Sequence, residues 1–351
     1  MHARIRPTSF DYMHHPSLRI AIVSDAYYPH ISGVARSIEE TAKALTKRGH
    51  EVLVIAPRDF TFKVPMPIYN EIKLVVLPYR KLKKTLDVFA PDALHISVEG
   101  PLGLAARRYA KKRGLHFTTA YHTRFPEYAQ IYAKIPLSWT YGFARWFHNG
   151  ASSVMVAADS LKSDLEQWGF KNLVIWPRGV DTDMFSPDSK LNLAGEKPIF
   201  MYMVRVAAEK NLEAFLSLEL PGTKYVVGDG PDLKRLKKEY PETVFTGYKF
   251  GTELSEHLAS ADVFVFPSLT DTLGLVMLEA NACGVPVATF PSQASSAVIQ
   301  EGVNGVVRED LREACLEALT LSRERCREIA LENGWDTPAE MFLQNLASVV
   351  K

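Results

Sequence analysis

Asp271 and Glu279 stand eight positions apart in the segment 261–288, ADVFVFPSLTDTLGLVMLEANACGVPVA. Short apolar runs bounded by Pro and Gly predict strands over 263–266 and 285–288, with a helix over 274–283 between them. Asp271 then lies past a strand's carboxyl end and Glu279 in the first turns of the helix. The N–H groups of Thr272, Leu273, Gly274 and Leu275 open that helix without intrahelical acceptors. An anion can sit over them while the two carboxylates take hydroxyl groups on either side, an outline that fits a sugar nucleotide. The plainer reading makes Asp271 a helix cap and Glu279 an exposed helix carboxylate.

A second charged group, Arg205, Glu209, Lys210 and Asn211, follows the apolar run 198–204. Arg205 as a planar fork and Lys210 as a point charge leave one strand end together and can converge on a diphosphate. His122 follows a third apolar run, in TAYHTRFPEY. A histidine at a strand end facing a cleft is a candidate for substrate contact, with a satisfied structural role as the alternative. Arg124 and Glu127 beside it form either acceptor contacts or an ion pair that shapes the loop.

Strands and helices alternate along the chain, with strands over 18–23, 51–56, 74–77, 93–96 and 117–121 and a helix over 101–113 in the first half. This pattern demands parallel sheets covered on both faces, with ligands at the strands' carboxyl ends. The loop after the first strand holds one useful glycine, Gly33. It is not a GxGxxG fingerprint, so a dinucleotide site is poorly supported, yet one glycine before a helix lets backbone approach a diphosphate. A length of 351 residues suits two domains. Turn-forming residues cluster over 178–197. The expected division is an extension at 1–17, a first domain at 18–185 completed by a helix at 336–351, a linker at 186–197 and a second domain at 198–335.

The acidic-x7-acidic spacing, with Asp271 where Glu is commoner, closely resembles the signature of retaining family 4 glycosyltransferases of the GT-B fold. Arg205-Val-Ala-Ala-Glu209-Lys210-Asn211 resembles the family's GRxxxEKN phosphate motif, with Val204 in place of the glycine. EGPLGLAARRYA, FTTAYHTRFPEYA and WPRGVDTD resemble a bacterial subgroup of lipid glycosyltransferases and GDP-mannose-dependent alpha-mannosyltransferases. The resemblance covers nearly the whole chain from Leu18. It implies an α/β GT-B fold, two Rossmann-like domains facing across a cleft, and transfer of a hexose from a nucleoside diphosphate. It implies donor phosphates near Gly33, Arg205, Lys210 and the amides of 272–275, the nucleobase near Tyr248 and Lys249, and the ribose on Glu279. Asp271 and His122 would hold the transferred sugar, and UDP and GDP stay undistinguished. A sugar-nucleotide epimerase shares the fold, and a noncatalytic nucleotide-sugar binder is kept in view by Val204. Asp181-Thr182-Asp183 has the form of a metal-binding DxD, but its turn-rich setting and match to the family's GVDxxxF segment make it structural. No metal or cofactor is expected.

The segment 131–149 carries Trp139, Tyr141 and Trp146 among other aromatics, with Lys134 and Arg145. It fits a lipid-facing surface or a core helix pair. Basic clusters at 81–84 and 107–113 add to the case for an anionic membrane partner and a lipid acceptor, with a peripheral location on the inner face of the plasma membrane. A net charge of +1 gives no field to attract nucleic acid. No run of apolar residues is long enough to span a bilayer, and residues 1–17 lack a signal peptide's apolar middle. Cys283, Cys315 and Cys326 have no metal-ligand spacing and read as reduced thiols of a cytosolic protein.

Overall fold

The computed structural model describes residues 17–28, 32–65, 73–188 and 190–346. The chain divides into two compact units. One holds the described residues up to Arg178 and those from Trp335 onward, and the other is Gly179–Gly334.

The first unit runs β1 (Arg19–Val23), α1 (Gly33–Lys47), β2 (Glu51–Ile55), β3 (Lys63–Pro65), β4 (Lys73–Val75), α2 (Tyr79–Phe89) and β5 (Ala93–Ile96). It continues with α3 (Pro101–Arg113), β6 (Thr118–Ala120), α4 (Phe125–Ala133), α5 (Leu137–His148), β7 (Ser153–Val156), α6 (Asp159–Gln167) and β8 (Leu173–Ile175). Six strands form a parallel sheet in the order β2-β1-β5-β6-β7-β8. The expected strand at 74–77 does not join it. Residues 73–75 pair antiparallel with β3 instead, since Lys73 is exposed and Val75 alone is buried, too little apolar surface for a strand covered on both faces.

The second unit runs β9 (Ile199–Met203), α7 (Leu212–Leu216), β10 (Thr223–Val227), α8 (Leu233–Glu239), β11 (Val244–Gly247), α9 (Gly251–Ala259) and β12 (Val263–Phe266). Then come α10 (Leu275–Ala282), β13 (Val287–Thr289), α11 (Gln293–Val298), β14 (Gly305–Val307), α12 (Leu311–Ala318) and α13 (Arg323–Leu331). Its parallel sheet has the order β11-β10-β9-β12-β13-β14. Counted within the unit, the third, second and first strands are followed by the fourth, fifth and sixth, the dinucleotide-fold order. The strands Ile199–Met203 and Val263–Phe266 are buried along their whole length, as central parallel strands must be.

The stretch 186–197, expected as a linker, is packed on the second unit. Ser186 N donates to Ser255 Oγ (3.3 Å), Leu191 N to Ser260 Oγ (2.7 Å), and Lys197 Nζ to Asp262 Oδ2 (3.0 Å). The chain enters and leaves this unit at neighbouring positions, because Val180 N donates to Asn333 O (2.9 Å).

After Gly334 the chain returns to the first unit as α14 (Asp336–Asn345). Phe342, Leu343 and Leu346 join the core formed by Leu18, Ile20, Ile22, Ile38 and Trp176. Leu343 is buried with them, whereas Met341 is half-buried. The Phe342 ring meets Trp176 at 4.9 Å and His95 at 4.9 Å, and Trp176 Nε1–H donates to Pro338 O (3.1 Å). Emptying this position leaves a cavity on one face of the first sheet. Phe342→Ala should therefore lower the stability of the first unit by about 3–5 kcal/mol in a urea titration, with a transition reported from the second unit unmoved.

Candidate active site

Each sheet has one place where the connections leave a strand in opposite directions, between β1 and β5 in the first unit and between β9 and β12 in the second. Ligand crevices form there, at the carboxyl ends. In the second unit the loop after β9 carries Arg205 and Lys210, and the loop after β12 carries Asp271 to Gly274. Lys210 Nζ donates to Asp271 Oδ1 at 2.5 Å, tying the two loops together. Thr270 Oγ1 donates to Glu209 O (3.0 Å) and Asn211 Nδ2 to Pro267 O (3.0 Å). Arg205 Nη1 lies 3.3 Å from Glu209 Oε1, whose side chain is buried. The two cations expected to converge are thus each matched with a carboxylate, and Asp271 occupies Lys210 where an anion is expected.

The glycines that bring backbones close belong to the neighbouring strand. A Cβ on Gly228 would stand 1.8 Å from Val204 O, and one on Gly230 would stand 2.2 Å from Val206 O. Val204 N donates to Val227 O and Val206 N to Asp229 O, both at 2.9 Å. Val204 keeps an ordinary backbone conformation and a half-buried side chain, so it fits without strain where the motif has glycine.

Gly274 caps α10 at φ +73, where a Cβ would press on Phe266 Cζ (2.8 Å) and Met277 Cε (2.9 Å). Glu279 is buried at 4% exposure, which removes the reading of an exposed helix carboxylate. The far end of α10 is held by a buried amide pair, Asn304 Nδ2 donating to Asn281 Oδ1 (2.9 Å) and Asn281 Nδ2 to Val285 O (3.0 Å). Tyr248 is exposed and stacks on Phe250 with ring centroids 6.0 Å apart, and Lys249 is paired with Glu253.

In the first unit His122 follows β6, and its Nδ1 lies 3.3 Å from Arg178 Nη2. Arg178 is 6% exposed and its guanidinium lies over the Trp176 ring at 3.7 Å. Its role is hidden in the sequence, where WPRGVD reads as a turn-rich boundary. Nearby, the buried His148 bridges Thr119 Oγ1 (2.9 Å) and Glu99 Oε1 (2.8 Å). Asp25, past β1, accepts from Leu102 N (2.9 Å) and Gly103 N (3.1 Å) at the start of α3. A Cβ at Gly100 would meet Asp25 Cγ at 2.4 Å, so glycine is required there. Gly33 is the first residue of α1, next to the capping Ser32, while residues 29–31 of its loop lie outside the described residues.

The aromatic segment divides between its two readings. Trp139 and Trp146 are 74% and 52% exposed, with Phe143, Ile131 and Ile135 also exposed. Tyr141, expected on the same surface, is buried instead. Its ring stacks on Trp168 at 4.0 Å and its hydroxyl donates to Glu127 Oε1 at 2.6 Å, because it falls on the face of α5 turned to the core. Arg124 pairs with Glu127 and Asp164, both at 2.7 Å, which favours the loop-shaping role over acceptor contact. The basic clusters are partly consumed internally. Arg107 is buried over Trp146, Lys83 and Arg113 both reach Asp87, and Arg108 and Lys112 lie over Tyr79. Asp181 Oδ1 accepts from Asp183 N (3.1 Å) and Met184 N (2.9 Å), closing a turn. Among the described residues no group of three or more His, Cys, Asp or Glu is placed to hold a metal ion.

The model of Glycosyltransferase Family 4 matches residues 31–184, and that of Glycosyl transferases group 1 matches residues 198–321. A GDP-mannose-dependent alpha-mannosyltransferase of Corynebacterium glutamicum is 30% identical, over 95% of this chain and 89% of its own. An alpha-monoglucosyldiacylglycerol synthase of Streptococcus pneumoniae is 27% identical, over 94% and 87%. Sucrose-phosphate synthase from Thermosynechococcus elongatus aligns with a TM-score of 0.73 at 18% identity, over 93% of this chain and 97% of that one. That likeness shows the GT-B fold, with two Rossmann-like halves.

Buried titratable groups make the stability of the first unit depend on pH in opposing ways. Burial, with Arg178 and His148 adding, pulls His95 down to about 3, and burial followed by Arg178 holds His122 well below its ordinary value. Both rings stay neutral in the fold, so their contribution is full above the unfolded value of 6.5 and is lost as pH falls below it. Burial pushes Asp25 up to about 6 from 3.8, so between those values the native carboxyl takes a proton that the unfolded chain does not. Acid therefore returns stability through Asp25. Asp25→Asn should steepen the fall of the unfolding midpoint between about pH 6 and about pH 4, and a parallel fall would contradict this assignment.

Proposed function

The chain belongs to Glycosyltransferase Family 4, and from that premise we propose that it moves a hexose or hexuronic acid from a nucleoside-diphosphate sugar to a hydroxyl of a membrane lipid such as diacylglycerol. The observation that carries the donor half is the meeting of Arg205, Lys210 and Asp271 at the reversal of the second sheet, beside the buried Glu279 and the start of α10. In this reading Lys210 exchanges Asp271 for the donor diphosphate. Asp271 is released to a hydroxyl of the sugar, and Glu279 takes the ribose. Tyr248 and Lys249 border the base. The role of His122 as a contact to the transferred sugar rests on its match to the family motif.

The transfer breaks the bond between the anomeric carbon and the phosphate oxygen and forms one to the acceptor oxygen on the same face, with retention. The acceptor's proton goes to the departing phosphate. Negative charge growing on the diphosphate is met by Arg205, Lys210 and the amides near Gly274, with no metal taking part. The lipid half is supported by the exposed Trp139 and Trp146 with Phe143, Ile131 and Ile135 on the α4–α5 hairpin, a surface suited to the interface of a bilayer. The diacylglycerol named for one relative supports the same acceptor class, and the GDP-mannose named for the other supports a mannosyl donor as the second reading. The proposed location is peripheral, on the inner face of the plasma membrane. Among the described residues no helix is long and apolar enough to cross a membrane.

UDP- and GDP-hexoses and UDP-glucuronate, each offered with diacylglycerol in anionic vesicles and read by lipid mass spectrometry, test the proposal. One donor should give a glycosylated lipid of retained configuration, at a rate unchanged by EDTA. Lys210→Ala and Glu279→Ala should each lower that rate by about 100-fold or more. A nucleotide bound tightly with no lipid product would refute the acceptor class. Trp139→Ser combined with Trp146→Ser should weaken vesicle binding about tenfold in a sedimentation assay while leaving nucleotide affinity unchanged.

A further inference from the structure

We propose that Arg178 is a positioning residue that fixes the tautomer of His122, donating from Nη2 to the ring's Nδ1 so that the ring proton resides on Nε2. The two atoms are 3.3 Å apart. A guanidinium has donors only, so the ring nitrogen facing it must accept and carries no proton. The arginine is held on several sides. Nη1 donates to Trp176 O (2.5 Å) and Pro177 O (3.3 Å), and the group lies 3.7 Å over the Trp176 ring. Trp176 in turn is fixed by α14 through Phe342 and Pro338. The fork therefore has little freedom to leave the histidine.

Among the groups acting on His122 are Arg178 from the segment after β8, His95 from β5 and His148 from α5. These three and burial disfavour the doubly protonated, cationic ring, and the Arg178 contact then selects which nitrogen keeps the single proton. His148 spans Thr119 and Glu99, and His95 Nδ1 lies on Thr118 Oγ1 at 3.0 Å, so the hydrogen bonds of both neighbouring rings are directed to those partners. Arg178 itself is pulled down to about 9 by burial, still charged at neutral pH.

The consequence rests on the proposed transfer. A ring held as the Nε2–H tautomer offers a sugar hydroxyl a donor and has no free lone pair on that nitrogen. It can hold a hydroxyl oxygen, and it cannot serve as a base that would activate water against the donor. The neutral ring also keeps a second positive charge away from the sugar.

The test is a long-range ¹H–¹⁵N correlation spectrum of the histidine rings in the full-length chain without substrate, with His122 assigned by His122→Gln. The wild type should show His122 as the Nε2–H tautomer, without protonation from about pH 8 to about pH 5. In Arg178→Leu the tautomers should mix and the His122 pKa should rise by about one unit or more. A new acid limb should then appear in the rate of sugar transfer. Arg178→Lys, which keeps a charged donor, should stay close to wild type. A wild-type ring protonated on Nδ1, or titrating near its ordinary value, overturns the proposal even if Arg178→Leu does not fold, and so does an unchanged spectrum in Arg178→Leu. The spectra need no substrate. A missing product with the expected spectra counts against the transferase reading alone.

Discussion

A parallel sheet cannot return its chain by a tight turn, so every connection crosses a face, and where successive crossings take opposite faces a gap opens at the carboxyl ends of two adjacent strands. The chemistry of the second unit depends on that constraint. β9 and β12 lie side by side although 59 residues lie between Met203 and Val263, and their loops bring Lys210 to Asp271 and Thr270 to Glu209. The same strand ends need close neighbours on the other side, which Gly228 and Gly230 provide against Val204 and Val206. A crevice lined by charges is stable only if those charges are matched while it waits for its ligand. The ion pair between the loops does this for Lys210.

The charged residues at the carboxyl ends of the second sheet were readable because each lies within a few positions of a strand's end, where local sequence reports both the element and the charge. Arg205, Lys210, Asp271 and Glu279 fall where the apolar runs place them. Their mutual distances were not readable. Arg205 and Lys210 both looked destined for one anion, whereas each meets a carboxylate from its own loop or the facing one. Helical phase decided the aromatic segment. Trp139 and Trp146 point outward, and Tyr141, two positions after Trp139, points in. The glycine missing at 204 looked like a defect because the close approach is shared between strands, and a single segment shows only one partner.

Residues acting across long separations left the weakest trace. Arg178 meets His122 from 56 positions away, and Asp25 caps α3 from 77. In the sequence one is a linker arginine and the other a loop aspartate. Burying such charges is costly unless hydrogen bonds meet them, and here carbonyls, amides and a ring face do so. The first unit is therefore rich in buried polar groups, including His95, His148 and Thr119, along the carboxyl side of its sheet. These cannot be replaced singly without leaving a partner unmet.

The last helix gives the fold a direction in time. Because Phe342 and Leu346 complete the core beneath Trp176, the half of the molecule that emerges first from the ribosome stays unfinished until the half that emerges second has been made. Gly179–Gly334 is one uninterrupted stretch that holds every strand of its own sheet, so its fold does not wait on the residues that follow it. The nascent first half meanwhile exposes the patch beside α1 that Phe342, Leu343 and Leu346 would cover, apolar surface that invites aggregation during synthesis. A chain ended near residue 335 would hold an intact second unit and a first unit whose core lacks its last helix.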